Sequence, residues 1–115
     1  MSTLKANQWL NPDGSENYKC RAWVNFNGTG VVAIRAAGNV SSITDNGVGD
    51  YTVNFTTPIP DADYAVSFGS GDSSGWSRRT ADEATARTTS AVRLYVANTT
   101  FSLADSANID VSIFR

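Results

Sequence analysis

An all-β domain, an antiparallel β-sandwich of jelly-roll-like kind or a small barrel, is the fold this sequence predicts. Three observations lead there. Short runs alternate strictly between apolar and polar residues, turn residues recur roughly every eight to twelve positions, and no stretch carries helical periodicity. At 115 residues the chain has the size of one domain, of which folding can bury roughly two-thirds of the unfolded surface. That allows one thin core, and small protomers of this kind gain stability from partners. No internal repeat is visible.

The elements follow in order. Residues 1–18 are polar and rich in Asn, Ser and Gly, with Asn11-Pro12-Asp13-Gly14 as a turn and only Trp9 and Leu10 to bury, so they form an extended lead-in to a domain over 19–115. From Lys19 the texture changes. Cys20, Ala22, Val24 and Phe26 share one side of a strand and Arg21, Trp23 and Asn25 the other, and Asn27-Gly28-Thr29-Gly30 turns the chain into a returning strand over 31–37. A second hairpin runs from 40–44 through Asp45-Asn46-Gly47-Val48-Gly49-Asp50, with Asn46-Gly47 as the pair suited to positive φ. Its second strand points Tyr51, Val53 and Phe55 inward and Thr52, Asn54 and Thr56 outward. Pro58 and Pro60 bar ladder pairing and impose a crossing segment before a strand with Tyr64, Val66 and Phe68. Residues 69–75 form a Gly/Ser loop, and the Thr-rich 80–89 stretch favours strand or loop over helix. Two clear strands close the chain, 91–97 with Val92, Leu94 and Val96 on one face, and 108–114 with Ile109, Val111 and Ile113 on one face.

Composition excludes several classes of function. Net charge is −2 and the nine Lys and Arg are scattered, unlike the basic stripe that phosphate-backbone binding requires, so nucleic acid is not an expected partner. There is no histidine and a single cysteine, Cys20. An intrachain disulfide is impossible, and zinc, Ser–His and Cys–His chemistries lack their base or ligand. Neither a signal-peptide pattern nor a membrane-spanning apolar run occurs, which predicts a soluble product made in a cytoplasm, with no membrane insertion. No cofactor and no metal are expected.

Several strings are more specific. CRAWVNFNGTG at 20–30, NVSSITDNGVGDYTVNFTTPIPDADYAV at 39–66, SAVRLYVAN at 90–98 and NIDVSIFR at 108–115 occur in this order. Together they resemble the C-terminal tip domain of tail fibre and related virion proteins of tailed bacteriophages, especially marine ones, over residues 19–115. The resemblance implies a homotrimeric, receptor-binding tip in the virion, assembled in the host cytoplasm alongside other tail proteins. Its exposed loops would adhere to a bacterial surface glycan or outer-membrane protein. It carries no catalytic residues with it. Residues 1–18 lie outside it and are read as the end of a fibre shaft or an expression boundary.

Within that frame, residues 69–79 are the expected recognition loop. Trp76 sets an aromatic plane beside Arg78 and Arg79, whose guanidiniums grip sugar hydroxyls, carboxylates or phosphates, with Asp72 in the same loop. The bland alternative packs Trp76 across a protomer interface and pairs the arginines with Asp72 and Asp82. Trp23 and Tyr51 are expected to be core or interface aromatics, and Tyr95, opposite Val92, Leu94 and Val96, to face solvent or a neighbouring subunit. The 45–50 segment lacks the length and terminal Glu of a calcium loop and reads as a turn. The only glutamates, Glu16 and Glu83, and the turn-forming Asp61 and Asp63 beside prolines, make a poor acid pair for a polysaccharide-degrading spike. Cys20 reads as a small buried hydrophobe. The expectation is therefore a non-enzymatic adhesion module, with a purely structural virion part (cap, decoration or connector) as the alternative.

Overall fold

The computed structural model describes residues 3, 5, 7, 9–15, 18–71, 79–98, 100 and 102–115, with the side chains of 79–86 excepted. Among these residues there are eight strands and no helix. The strands are β1 (Cys20–Asn27), β2 (Ala33–Gly38), β3 (Val40–Gly47), β4 (Asp50–Phe55), β5 (Ala65–Gly71), β6 (Arg79–Arg87), β7 (Ala91–Ala97) and β8 (Asn108–Phe114). They form two four-stranded antiparallel sheets, ordered β2-β1-β8-β5 and β3-β4-β7-β6, packed face to face. The architecture is a sandwich, and β7 and β8 match the sequence expectation end for end.

Side-chain parity builds the core. Because successive residues of a strand point to opposite faces, Ala22, Val24 and Phe26 of β1 and Ile109, Val111 and Ile113 of β8 bury against Tyr51, Val53 and Phe55 of β4 and Val92, Leu94 and Val96 of β7. Each large apolar side chain so buried contributes about 1.5–3 kcal/mol. Edge-to-face aromatic contacts lock the two ends of this core, Phe26 on Tyr51 at 5.4 Å and Phe55 on Tyr64 at 5.9 Å between centroids. The proline-bounded crossing segment supplies Ile59 and Tyr64 as further buried residues, and the Tyr64 hydroxyl donates to the Thr88 and Ala91 carbonyls at 3.0 and 3.1 Å.

Two local expectations fail, each because the ladder is irregular. Cys20 is exposed, not buried. Cys20 faces Phe114 while Ala22 faces Ile113, so two steps along β1 match one along β8. This β-bulge breaks the alternation and turns the thiol out of the core; the thiol donates to the Ala22 carbonyl at 3.1 Å. In the second hairpin, β3 continues to Gly47, which pairs with Asp50, and positive φ falls on Gly47 (+141°) and Gly49 (+64°) while Asn46 keeps negative φ. The Asn46 side chain instead donates to Thr52 Oγ1 at 2.8 Å, and Asp45 Oδ1 accepts from the Gly47 amide at 3.1 Å.

The topology separates two ends. Cys20 pairs with Phe114, so the chain enters and leaves the sandwich at one end. The β2–β3 corner at Asn39 and the 56–64 and 88–90 connections lie there too, tied by backbone bonds such as Ile59 N–H to Thr89 O at 2.8 Å. At this end Arg115 grips Asp61 with two hydrogen bonds of 2.9 and 2.8 Å, which hold the Asp61 carboxyl down to about 2. The β1–β2 loop, the β3–β4 turn and the β7–β8 connection occupy the opposite, distal end, together with Gly71 and Arg79, from which the 72–78 connection leaves and to which it returns.

Candidate functional site

Of the residues expected to bind, Asp72, Trp76 and Arg78 lie outside the described residues. Arg79 opens β6 opposite Ala97, and its side chain is likewise outside them. The flank of that loop is described: Gly71 pairs with Asn108, and the Ser106 hydroxyl donates to the Gly71 carbonyl.

The distal loops around it are fastened by one buried group. Tyr51 points its ring into the core and its hydroxyl toward the distal end, donating to Asp105 Oδ1 at 2.6 Å and to the Gly28 carbonyl at 2.8 Å. Asp105 Oδ1 also accepts from the Gly49 amide at 2.9 Å, and the Gly28 amide donates to Ser106 O at 2.8 Å. Three loops distant in sequence are thus joined at a single hydroxyl. Burial, and then the neighbouring Asp105 carboxylate, push the Tyr51 hydroxyl well above the usual tyrosine range, so it remains a donor wherever the protein is folded near neutrality. Replacing Tyr51 with Phe keeps the ring but takes the hydroxyl donor from the Gly28 carbonyl and leaves Asp105 Oδ1 with the Gly49 amide, at an expected cost of about 2 kcal/mol. Urea denaturation checks the cost, and amide exchange should quicken in residues 28–32; a loss below about 0.5 kcal/mol would show the hydroxyl to be incidental. Val31, Val48 and Leu103 project from these same loops into solvent, giving the distal end an apolar fringe.

A second concave feature lies on the outer face of the β2-β1-β8-β5 sheet. Trp23, expected to be a core or interface aromatic, points outward and is 45% exposed. Its pyrrole ring lies over Gly38, the residue opposite it on β2, so closely that a Cβ there would sit 2.2 Å from Nε1. Beside it an open groove of about 470 Å³ is lined by Trp23, Asn25, Ser67, Gly69, Asp110 and Ser112, with the strand backbone at Val24, Phe68 and Val111 as floor. Asn25 Nδ2 donates to Asp110 Oδ1, and Asn25 Oδ1 accepts from Arg35 at 3.4 Å. Parity sets Trp23 and Asn25 on the side of β1 opposite Val24 and Phe26. The groove itself depends on strand register, since Asp110 stands 85 residues from Asn25. Gly69, expected to open the recognition loop, lies instead within β5, which pairs with β8 as far as Gly71, and it belongs to this lining.

The outer face of the β3-β4-β7-β6 sheet is different. There Asn54 donates to Ser42 and Thr44, and Arg93 grips Asp50 with two bonds of 2.9 and 2.6 Å while its guanidinium lies over Tyr95. The Arg93 hydrogen bond holds the Asp50 carboxyl below its usual range. These polar groups satisfy one another, whereas the Trp23 groove presents an aromatic surface with polar atoms around it. No family model, curated protein or solved structure matches the chain, and the site is defined by its own geometry.

Proposed function

We propose that this chain is the distal, receptor-binding domain of a bacteriophage tail fibre, a homotrimeric, non-enzymatic module that adheres to a glycan or outer-membrane protein of the bacterial surface. The observation that carries this reading is the polarity of the sandwich. Both chain ends of the sandwich leave at one end, where residues 1–18 would join a shaft and other tail proteins. The β1–β2, β3–β4 and β7–β8 connections, and the strand ends that flank residues 72–78, gather at the other. A rigid scaffold presenting a cluster of loops away from its attachment point is how binding residues are commonly displayed.

The trimer is supported by what the attachment end leaves uncovered. Trp9, Leu10, Tyr18 and Phe114 are all exposed there, with the Lys19 ammonium 5.5 Å from the Trp9 ring centre. Three copies packed around a shared axis would remove this surface from water. The pairing of β1 with β8 in one sheet and of β4 with β7 in the other fits a jelly-roll-like arrangement. A chain without histidine favours adhesion over hydrolysis, and three tips per fibre would convert weak contacts into firm attachment through effective concentration.

Binding of the full chain to host cells and to their extracted surface polysaccharide tests the reading. Trp76→Ala or Arg78→Ala is expected to lower binding about tenfold or more, and light scattering is expected to give three protomers per particle. Undiminished binding in both variants would remove the 69–79 loop from the site. A monomer at micromolar concentration would remove the trimer. Absence of binding to any host would leave a structural fibre component.

A further inference from the structure

We infer that the Trp23 groove is a second binding site, on the flank of the sandwich, for a neutral hexopyranose unit of a surface glycan. The choice of ligand rests on the adhesion reading above. The site itself rests on the groove.

A pyranose has two apolar C–H faces and a rim of hydroxyls, so a protein binds it with an aromatic plane and a ring of small polar groups. The groove offers both. Trp23 supplies the plane, and its orientation is fixed from below by Gly38, where any side chain would collide with the indole. The opposite wall is low, because Ser67, Gly69 and Ser112 are small, which leaves the groove open for a ring to lie against the indole. Neither serine hydroxyl has a hydrogen-bond partner among the described residues. Each is free to accept from one sugar hydroxyl and donate to another. Asp110 spends Oδ1 on Asn25 and leans Oδ2 across Gly69, where an added Cβ would lie 3.5 Å from it; this oxygen is an acceptor for a sugar hydroxyl.

Charge narrows the ligand further. Among the described residues the lining contains one carboxylate and no Lys or Arg, and the nearby Arg35 turns its Nη2 to the Ala107 carbonyl at 2.6 Å. A uronate or sialate would bring a second negative charge beside Asp110 with no cation among the described lining residues to meet it, a juxtaposition that disfavours binding. Neutral sugars have no such conflict. The site also differs in position from the distal loops, so one glycan chain could engage tip and flank of the same protomer and gain from effective concentration.

The test is a titration of the full-length chain with neutral glucan, galactan and mannan oligosaccharides, and with a uronate oligosaccharide of equal length, each to about 10 mM. It is followed by the indole N–H resonance that disappears in Trp23→Ala. At least one neutral series is expected to shift that resonance saturably and the uronate to leave it unmoved. Trp23→Ala is expected to weaken binding about tenfold or more, with Trp23→Phe recovering part of it. Gly38→Ala, which pushes the indole from its seat while keeping it in the chain, is expected to weaken binding without unfolding the protein. Asp110→Asn should admit the uronate.

No shift of the Trp23 resonance with any neutral sugar, or unchanged affinity in both Trp23→Ala and Gly38→Ala, would overturn the inference. Host-cell adhesion by the loop would survive that result. Conversely, saturable sugar binding at Trp23 by a chain that attaches to no cell would uphold the groove and remove the adhesion reading.

Discussion

Gly49→Ala is expected to cost about 4 kcal/mol or more, a large part of the stability of a small domain. Gly49 sits at φ +64°, where an L side chain costs roughly 1–2 kcal/mol. The larger effect is steric. A Cβ there would lie 2.4 Å from the Val96 carbonyl oxygen and 2.7 Å from the Ala104 amide nitrogen, two atoms joined by a 3.0 Å hydrogen bond. The methyl would be driven into that bond. Neither atom belongs to a flexible side chain, so relief requires the β7–β8 connection to move. That movement pulls on the Val96 N–H bond to the Gly49 carbonyl at 2.8 Å and on the Gly49 amide held by Asp105 at 2.9 Å. Overpacking of about 1–3 kcal/mol and the loss of one or two hydrogen bonds therefore add to the backbone strain. Gly47→Ala is the control. Gly47 also has positive φ, +141°, but nothing lies within 4 Å of an added Cβ, so it should lose only the conformational part. Urea midpoints of the two variants against the parent check the contrast, and equal losses would refute the steric account.

The strands were legible because burial on one face writes itself as alternation. In β4, β7 and β8 the residues singled out by parity as inward are the buried ones, and in β1 Trp23 and Asn25 lie opposite Val24 and Phe26 as the alternation has it, although Trp23, expected in the core or an interface, is 45% exposed. What parity cannot carry is register between strands. The bulge that exposes Cys20 is a property of how β1 meets β8, and no feature of Cys20-Arg21-Ala22 alone announces it. The β3–β4 turn fell two residues later than Asn46-Gly47 suggests because Gly49 also accepts positive φ and its amide has a partner in Asp105, 56 residues away. The candidate groove was half legible for the same reason. Parity separates its tryptophan from the Val24 face, but Gly38 beneath it and Asp110 beside Asn25 come together only through pairing with β2 and β8. Tyr51 was expected in the core, and its ring is there; its second task, fastening three distal loops, depends on where Asp105 arrives.

Asn39→Ala is expected to lower stability by about 3 kcal/mol, and Asn39→Gly by about 2, reversing the usual order of Ala and Gly in extended structure. Asn39 turns the chain from β2 in one sheet to β3 in the other. It is the one non-glycine residue with positive φ among the described residues, at +56°, a conformation asparagine tolerates better than other L residues. Its side chain behaves like a short piece of strand. Oδ1 accepts from the Thr57 amide at 2.7 Å, and Nδ2 donates to the Thr57 and Arg21 carbonyls, both at 3.0 Å. The Asn39 backbone carbonyl accepts from Thr56 N–H at 3.2 Å. One amide therefore holds the sheet-to-sheet corner, the β1 segment beside the bulge and the start of the crossing segment. Removing it releases three hydrogen bonds of about 0.5–1.5 kcal/mol each, partly recovered by water because the corner is not deeply buried. Both substitutions lose those bonds, but only alanine also bears the left-handed strain, of roughly 1 kcal/mol. Asn39→Asp should keep the Thr57 amide and lose both carbonyl contacts, falling near Gly. Thermal or urea unfolding at one fixed protomer concentration is the appropriate measurement, which keeps any contribution of association equal across the variants. Equal losses for Ala and Gly would mean that the positive φ relaxes once the amide is gone, and a loss under about 1 kcal/mol for both would mean that the corner is held by its backbone alone.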